Sequence, residues 1–157
     1  MIFRNTLGEE FTLDSMVERM YLFADEKPNE PYRIIIGTDS QHTASETVFV
    51  TAIIIHRVGT VAKFFYTRKS VKGDLDIYTR IMQETTDSLE IIKKIENSEV
   101  IHQVGRDNVE IHIDAGENGK SKKIMEACIA YVKGMGFRFK VKPESFGASH
   151  VADRYTK

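Results

Sequence analysis

The segment Arg33-Ile34-Ile35-Ile36-Gly37-Thr38-Asp39 decides the fold of this chain. Three consecutive isoleucines predict a strand that is buried on both faces, as in the centre of an α/β sheet. The strand ends at Asp39, which Ser40 follows, and an Asp-Ser pair on its own is also ordinary turn chemistry. The segment therefore predicts a central strand and places a candidate functional carboxylate at its end.

The rest of the chain supplies four more strands and the helices between them. Apolar, β-branched residues at 47–58 and 61–70, separated by a Gly-Thr turn, predict an antiparallel meander with the first strand. Alternating patterns at 109–114 and 137–142 predict the fourth and fifth strands. Helical periodicity predicts helices over about 76–97 and 121–133, and a very short one in the tail from residue 148.

This order predicts an α/β fold: a five-stranded mixed sheet, in the order 3-2-1-4-5, with helices on both faces. A right-handed helical crossover makes the fourth strand parallel to the first, so Asp39 and Asp114 should meet at the carboxyl edge where sites form. Residues 32–157 are expected to form this domain. Residues 1–31, with an amphipathic helix over 12–24 and a proline-containing loop, are expected to form an N-terminal helical extension packed on it.

Composition limits the functional classes. The net charge of −1, divided as −4 over residues 1–31 and +3 over 32–157, argues against a strong, nonspecific nucleic-acid binder without excluding nucleic acid as a partner. The single cysteine, Cys128, excludes an intrachain disulfide and a cysteine-based zinc site, and its apolar surroundings predict a buried, inert thiol. Neither a signal-peptide pattern nor an apolar run of membrane-spanning length is seen, so a cytoplasmic protein without membrane association is expected.

Acidic residues form the candidate site. Two carboxylates side by side repel each other unless a cation lies between them, so the expected proximity of Asp39 and Asp114 favours a shared metal ion. On the first long helix, Glu84 lies at the edge of the apolar stripe and faces the sheet, whereas Glu90 faces solvent and Asp87 lies well off the stripe. An ordinary glutamate on the helix flank is the alternative for Glu84.

The tail contributes two further candidates, His150 and Asp153, which lie three residues apart and so on one helical face. Either could complete the site, although His150 is equally consistent with a surface histidine. The other histidines show no spacing typical of metal ligands and are expected to be structural or to lie on the surface.

These motifs resemble those of the YkuK-like family of bacterial ribonuclease H-like proteins. The residues that carry the resemblance are Ile36-Gly37-Thr38-Asp39-Ser40-Gln41, His112-Ile113-Asp114-Ala115-Gly116 and Ser149-His150-Val151-Ala152-Asp153-Arg154. The resemblance implies a ribonuclease H-like fold over nearly the whole chain. It also implies that Asp39, Glu84, Asp114 and Asp153 occupy the acidic positions of the superfamily.

The resemblance further implies a nuclease that hydrolyses phosphodiester bonds with two Mg²⁺ or Mn²⁺ ions, the ions that an all-oxygen site suits. Asp39 would bridge the ions, Asp153 would bind the ion that activates water, and His150 would move protons or aid product release. DNA or RNA is the expected partner. The basic residues flanking the second long helix are candidates for contacts with substrate phosphates, although a solvated helix face is the simpler interpretation: Lys120, Lys122 and Lys123.

Other functions stay open. Gly119-Lys120-Ser121 resembles the end of a phosphate-binding loop, but the full motif needs a glycine where Asp114 stands. A nucleotide-binding or non-catalytic domain with a regulatory or scaffolding role is the main alternative. The acidic N-terminal helix also leaves open a homo-oligomer or a protein partner, although packing on the domain's own sheet is favoured.

Overall fold

The computed structural model describes residues 1–116, 119 and 121–156, with Ala148 and Ser149 described through their backbone alone. Within this part of the chain, one mixed sheet has seven strands in the order β2-β1-β5-β4-β3-β6-β7. The strands are β1 (Phe3–Asn5), β2 (Glu10–Phe11), β3 (Tyr32–His42), β4 (Glu46–Arg57), β5 (Ala62–Lys72), β6 (Val109–His112) and β7 (Arg138–Lys140).

β3 lies at the centre of the five predicted strands, as its three isoleucines predict. It pairs antiparallel with β4 from Tyr32↔Arg57 to His42↔Thr47, and parallel with β6 from Ile34↔Val109 to Gly37↔His112. Gly59, with a φ of 84°, forms the turn that leads from β4 to β5, a backbone conformation that glycine adopts without steric cost. The order β5-β4-β3-β6-β7 is the predicted order 3-2-1-4-5.

The prediction of five strands is wrong, because the sheet has two more at its edge. β1 pairs with β5 and β2 pairs with β1, both antiparallel. Both strands are very short, so neither repeats an alternating pattern often enough to be seen in the sequence. β1 nevertheless buries Phe3 completely.

Four α-helices are described: α1 (Leu13–Glu26), α2 (Ile77–Ile95), α3 (Glu99–Val104) and α4 (Ser121–Gly134). Thr12 caps α1, accepting a hydrogen bond from the backbone of Ser15 at 3.1 Å, and Asp76 caps α2 through the backbone of Thr79 at 2.8 Å. Only α3 was not predicted, because its six residues are too few to show a helical period. The predicted short helix of the tail is a π-helical turn, Gly147–Ala152, followed by a 3-10 turn, Asp153–Tyr155.

The two faces of the sheet differ. Even-numbered residues of β3, such as Ile34 and Ile36, pack in the main core with side chains from all four α-helices. Odd-numbered residues point to the opposite face because side chains alternate along a strand. There the C-terminal segment, defined here as residues 147–155, packs Ala152, Val151 and Tyr155 on β4. No described helix combines the length and apolar character that a membrane crossing needs.

Candidate active site

Asp39 and Asp114 lie at the same height on neighbouring strands. The last parallel pair between β3 and β6 is Gly37↔His112, so two further residues along each strand lead to these two aspartates. Because side chains alternate along a strand, a step of two residues returns to the same face, so both side chains lie on the face opposite the α-helices. Asp39 is 9% exposed and Asp114 is half-buried. The expected proximity of the two carboxylates is therefore present.

The ionisation of Asp39 reflects its neighbours. Burial and the negative charges of Asp114 and Asp153 raise the pKa of Asp39 to about 7, and a side-chain hydrogen bond with Asp153 adds to this shift. The backbone N–H of Ser40 acts in the opposite direction. Asp153 thus reaches the site from the C-terminal segment, and three carboxyl groups repel one another there.

Glu84 approaches from α2, on the other side of β3. It is 7% exposed and accepts a hydrogen bond from the hydroxyl of Ser40. Burial above all, together with the charges of Asp39 and Asp114, raises the pKa of Glu84 well above its ordinary value, although the Ser40 hydroxyl partly offsets this effect. The helix register predicted from the sequence, with Glu84 facing the sheet, is correct.

Ser40 and Arg80 hold Glu84 in place and were not identified from the sequence. Arg80 donates from Nε to the Ser40 hydroxyl at 3.0 Å and from its guanidinium to the Ser40 carbonyl at 2.9 Å. Arg80 lies one helical turn before Glu84, and this spacing was the one feature of the sequence that could have indicated an interaction between them. Ser40 follows Asp39 directly and therefore projects to the helical face.

Lys142 lies beside the site as well. Its Nζ is 3.3 Å from Oδ1 of Asp114, and its side chain is 53% exposed. The alternating pattern at 137–142 predicts a strand that includes Lys142 but not its contact with Asp114. This cation compensates part of the negative charge that converges on Asp39.

A buried histidine anchors the C-terminal segment. The backbone N–H of Gly147 donates to Nδ1 of His112 at 2.9 Å, so Nε2 carries the proton and donates to Oε1 of Glu110, also at 2.9 Å. A Cβ atom at Gly147 would lie 2.8 Å from Cγ2 of Ile35, so the segment approaches the sheet as closely as its backbone allows. His112 therefore has a structural role, as expected.

The remaining candidates are placed as follows. His150 is exposed on the C-terminal segment, and Lys122 and Lys123 are exposed in the first turn of α4. Lys120 lies outside the described residues. Glu90 is 48% exposed and pairs with Lys94, as its position on the helix predicts.

Asp87 departs from expectation. Its sequence position is well off the apolar stripe, yet it is buried and accepts hydrogen bonds from Lys69 at 2.6 Å and Gln83 at 2.8 Å. The long sheet covers a broader face of α2 than the apolar residues alone define.

The chemistry of these acids suits a hard divalent cation, because every candidate ligand atom is a carboxylate oxygen. Burial above all, and then the charges of Asp114 and Asp153, raise the pKa of Asp39, and a cation would relieve the repulsion among these carboxylates. In residues 1–116, 119 and 121–156, however, no three acidic, histidine or cysteine side chains are grouped as a formed metal site. The donor set fits Mg²⁺ or Mn²⁺, and binding would require the side chains to close around the ion.

Comparison with known proteins identifies the family of this chain. The sequence model of the ribonuclease H-like family matches residues 15–157. The chain is also 29% identical to a Bacillus subtilis (strain 168) protein called uncharacterized protein YkuK, over 99% of this chain and 97% of that protein. The fold and the similarity agree, and the chain belongs to the ribonuclease H-like family as a YkuK-like member.

Proposed function

We propose that this protein is a nuclease that hydrolyses phosphodiester bonds with Mg²⁺ or Mn²⁺ held by Asp39, Glu84, Asp114 and Asp153. The observation that carries the proposal is the convergence of Asp114 and Asp153 on the buried carboxyl group of Asp39, whose pKa burial and these two charges raise. Such an arrangement works against folding unless a cation compensates it. The ribonuclease H-like fold commonly serves nucleic-acid binding, which supports the substrate class.

Divalent ions at such a site supply positive charge to the reacting phosphate and lower the pKa of a bound water. The protein's own residues would position those ions and the substrate. Asp39 and Asp114 contribute from adjacent strands, and Glu84 contributes from α2, where Ser40 and Arg80 fix its direction. Asp153 and His150 share the C-terminal segment: Asp153 forms a hydrogen bond with Asp39, and the exposed imidazole of His150 would move protons.

The test is a cleavage assay on labelled DNA, RNA and hybrid oligonucleotides with Mg²⁺ and with Mn²⁺. Asp39→Asn keeps the shape of the side chain but removes its charge, so we expect a rate loss on the order of 10²–10³. Glu90→Gln is the matched control, since Glu90 is exposed on the same helix as Glu84. This substitution should leave the rate unchanged. Equal cleavage by wild type and Asp39→Asn would contradict the proposal.

A non-catalytic or nucleotide-binding role is the second candidate. It is favoured by the Lys142–Asp114 pair, which already compensates one acid without a metal ion. This role gives metal-dependent binding of a nucleotide or nucleic acid without any cleavage product in the same assay.

A further inference from the structure

A row of exposed cations lies on the face of β7 opposite the α-helices. Arg138 and Lys140 alternate with the core residue Phe139, so both point away from the helices, and Lys142 continues the row. The parallel pairs Glu110↔Arg138 and His112↔Lys140 set this row beside β6. The row ends at the candidate active site, because Lys142 contacts Asp114.

Glu110, the acid beside Arg138 and Lys140, makes its short contacts with other groups, and Lys140 acts on it only through its charge. Glu110 accepts the hydrogen bond from His112 and lies 3.6 Å from the guanidinium of Arg33. Among the described residues, Arg138 and Lys140 form no salt bridge, and Arg138 donates to the backbone carbonyl of Asp107. A cavity of about 680 Å³ opens at the start of the row, with Arg33, Lys133, Arg138 and Lys140 in its lining.

An aromatic ring lies next to the cations. Phe146 is 38% exposed and packs edge-on against His112, with ring centroids 4.8 Å apart and planes at 82°. His112 pairs directly with Lys140 across the strands, so Phe146 lies close to the middle of the row. Within β7 the aromatic residue Phe139 alternates with the cations but packs against the main core, so the ring beside the row is Phe146, from the loop that follows the strand.

We propose that this surface binds a single strand of nucleic acid and leads it to the carboxylate cluster, with phosphates on Arg138 and Lys140 and a base stacked on Phe146. The inference rests on the proposed function and names its substrate form. Alternate residues of a strand repeat about every 6.6 Å, so one nucleotide can be matched to each cation along an extended backbone. A base is free to stack on a protein ring only when it is unpaired, which favours a single strand over a duplex.

The test measures binding without catalysis, by fluorescence anisotropy of labelled 12-nucleotide DNA and RNA in EDTA. Arg138→Ala/Lys140→Ala should weaken binding about tenfold. It should also lower the slope of log affinity against log salt by about 1.4, since each phosphate contact contributes about 0.7 for a single strand. Phe146→Leu should weaken binding about tenfold with an unchanged salt slope, because stacking is lost while charge is kept.

The matched control is Lys27→Ala/Lys93→Ala, which removes two exposed cations, one directly after α1 and one in α2, and should leave affinity and slope as in wild type. Lys140→Glu is a second variant in case the double variant does not fold. It changes one exposed side chain and reverses its charge, so it should weaken binding more than removal of that charge does. The proposal is overturned if the β7 variants bind like the control, or if a duplex of the same sequence binds more tightly than the single strand. Wild type that binds but does not cleave with Mg²⁺ or Mn²⁺ would contradict the proposed function and leave this surface intact.

Discussion

Asp39 is buried beside other carboxylates, so its ionisation opposes folding. Its pKa is about 7 in the folded protein, against an ordinary value of 3.8. The folded state therefore holds a proton more tightly than the unfolded chain, and stability must fall as pH rises from about 4 to about 7. Above that window the whole penalty is present.

Asp39→Asn should remove this penalty. In EDTA at pH 8 we expect the variant to be more stable than wild type by about 2 kcal/mol, because solvent screening reduces the larger value that the pKa shift alone would give. The difference should shrink as pH falls towards 4, because the folded aspartate is then protonated and the unfolded one, with an ordinary pKa of 3.8, is about half protonated. Urea unfolding of both proteins from pH 4 to pH 8 measures it. A constant difference across this range would contradict the electrostatic explanation.

Single residues also show which parts of the site could be predicted from the sequence and which could not. Asp39, Asp114 and Glu84 were predictable because strand ends and a helical stripe fix where such residues point. Lys142 beside Asp114 and Arg80 on Ser40 were not, because both depend on the conformations of long side chains between elements. The burial of Asp87 was not predicted because the buried face of the helix was inferred from its apolar residues alone, and a polar residue with buried hydrogen-bond partners does not appear in that pattern.

At the scale of elements, the C-terminal segment completes the site. It carries Asp153 and His150, and it docks through the hydrogen bond from Gly147 to His112. Tyr155 stacks on Tyr66 with ring centroids 3.9 Å apart, and the Thr156 hydroxyl donates to Gln41 at 3.2 Å. The sequence indicates a short helix here but not its π-helical turn, which depends on this tertiary contact.

Gly147→Ala should detach this segment. The added Cβ would meet Ile35 at 2.8 Å and His112 at 3.0 Å, and overpacking of this kind typically costs about 1–3 kcal/mol. We expect faster hydrogen–deuterium exchange in residues 147–155 while the exchange of β3 and β4 is retained. Nuclease activity, where present, should fall because Asp153 leaves the site.

Gly134→Ala is the matched control for this prediction. Gly134 ends α4, and a Cβ atom there would meet nothing within 4 Å. Alanine should be neutral or slightly stabilising at that position. Equal exchange of residues 147–155 in both variants would show that the close contact at Gly147 does not hold the segment.

For the whole molecule, the order of the five predicted strands was predictable because it depends on local signals and a general rule of handedness. A buried β3, a meander and two right-handed crossovers leave one arrangement for β5-β4-β3-β6-β7. The edge strands β1 and β2 were not predictable, since each gains its stability from the strand it pairs with. The cation row beside Phe146 depends equally on distant parts of the chain, so it required the fold.

The carboxylate cluster predicts that the stability of the whole domain depends on divalent metal. An ion that binds the folded state alone stabilises it by about 2.7 kcal/mol when its concentration is 100 times the dissociation constant. For a chain of this size, that corresponds to a rise in melting temperature of about 5–10 °C.

We expect such a rise for wild type and for Glu90→Gln in millimolar Mg²⁺ or Mn²⁺, measured at pH 8 against NaCl of equal ionic strength. Asp39→Asn should start from a higher melting temperature in EDTA and lose the response, since the same charge that opposes folding also binds the ion. A wild-type melting curve unchanged by either ion would contradict metal binding here, whereas an equal rise in Asp39→Asn would locate the ion elsewhere.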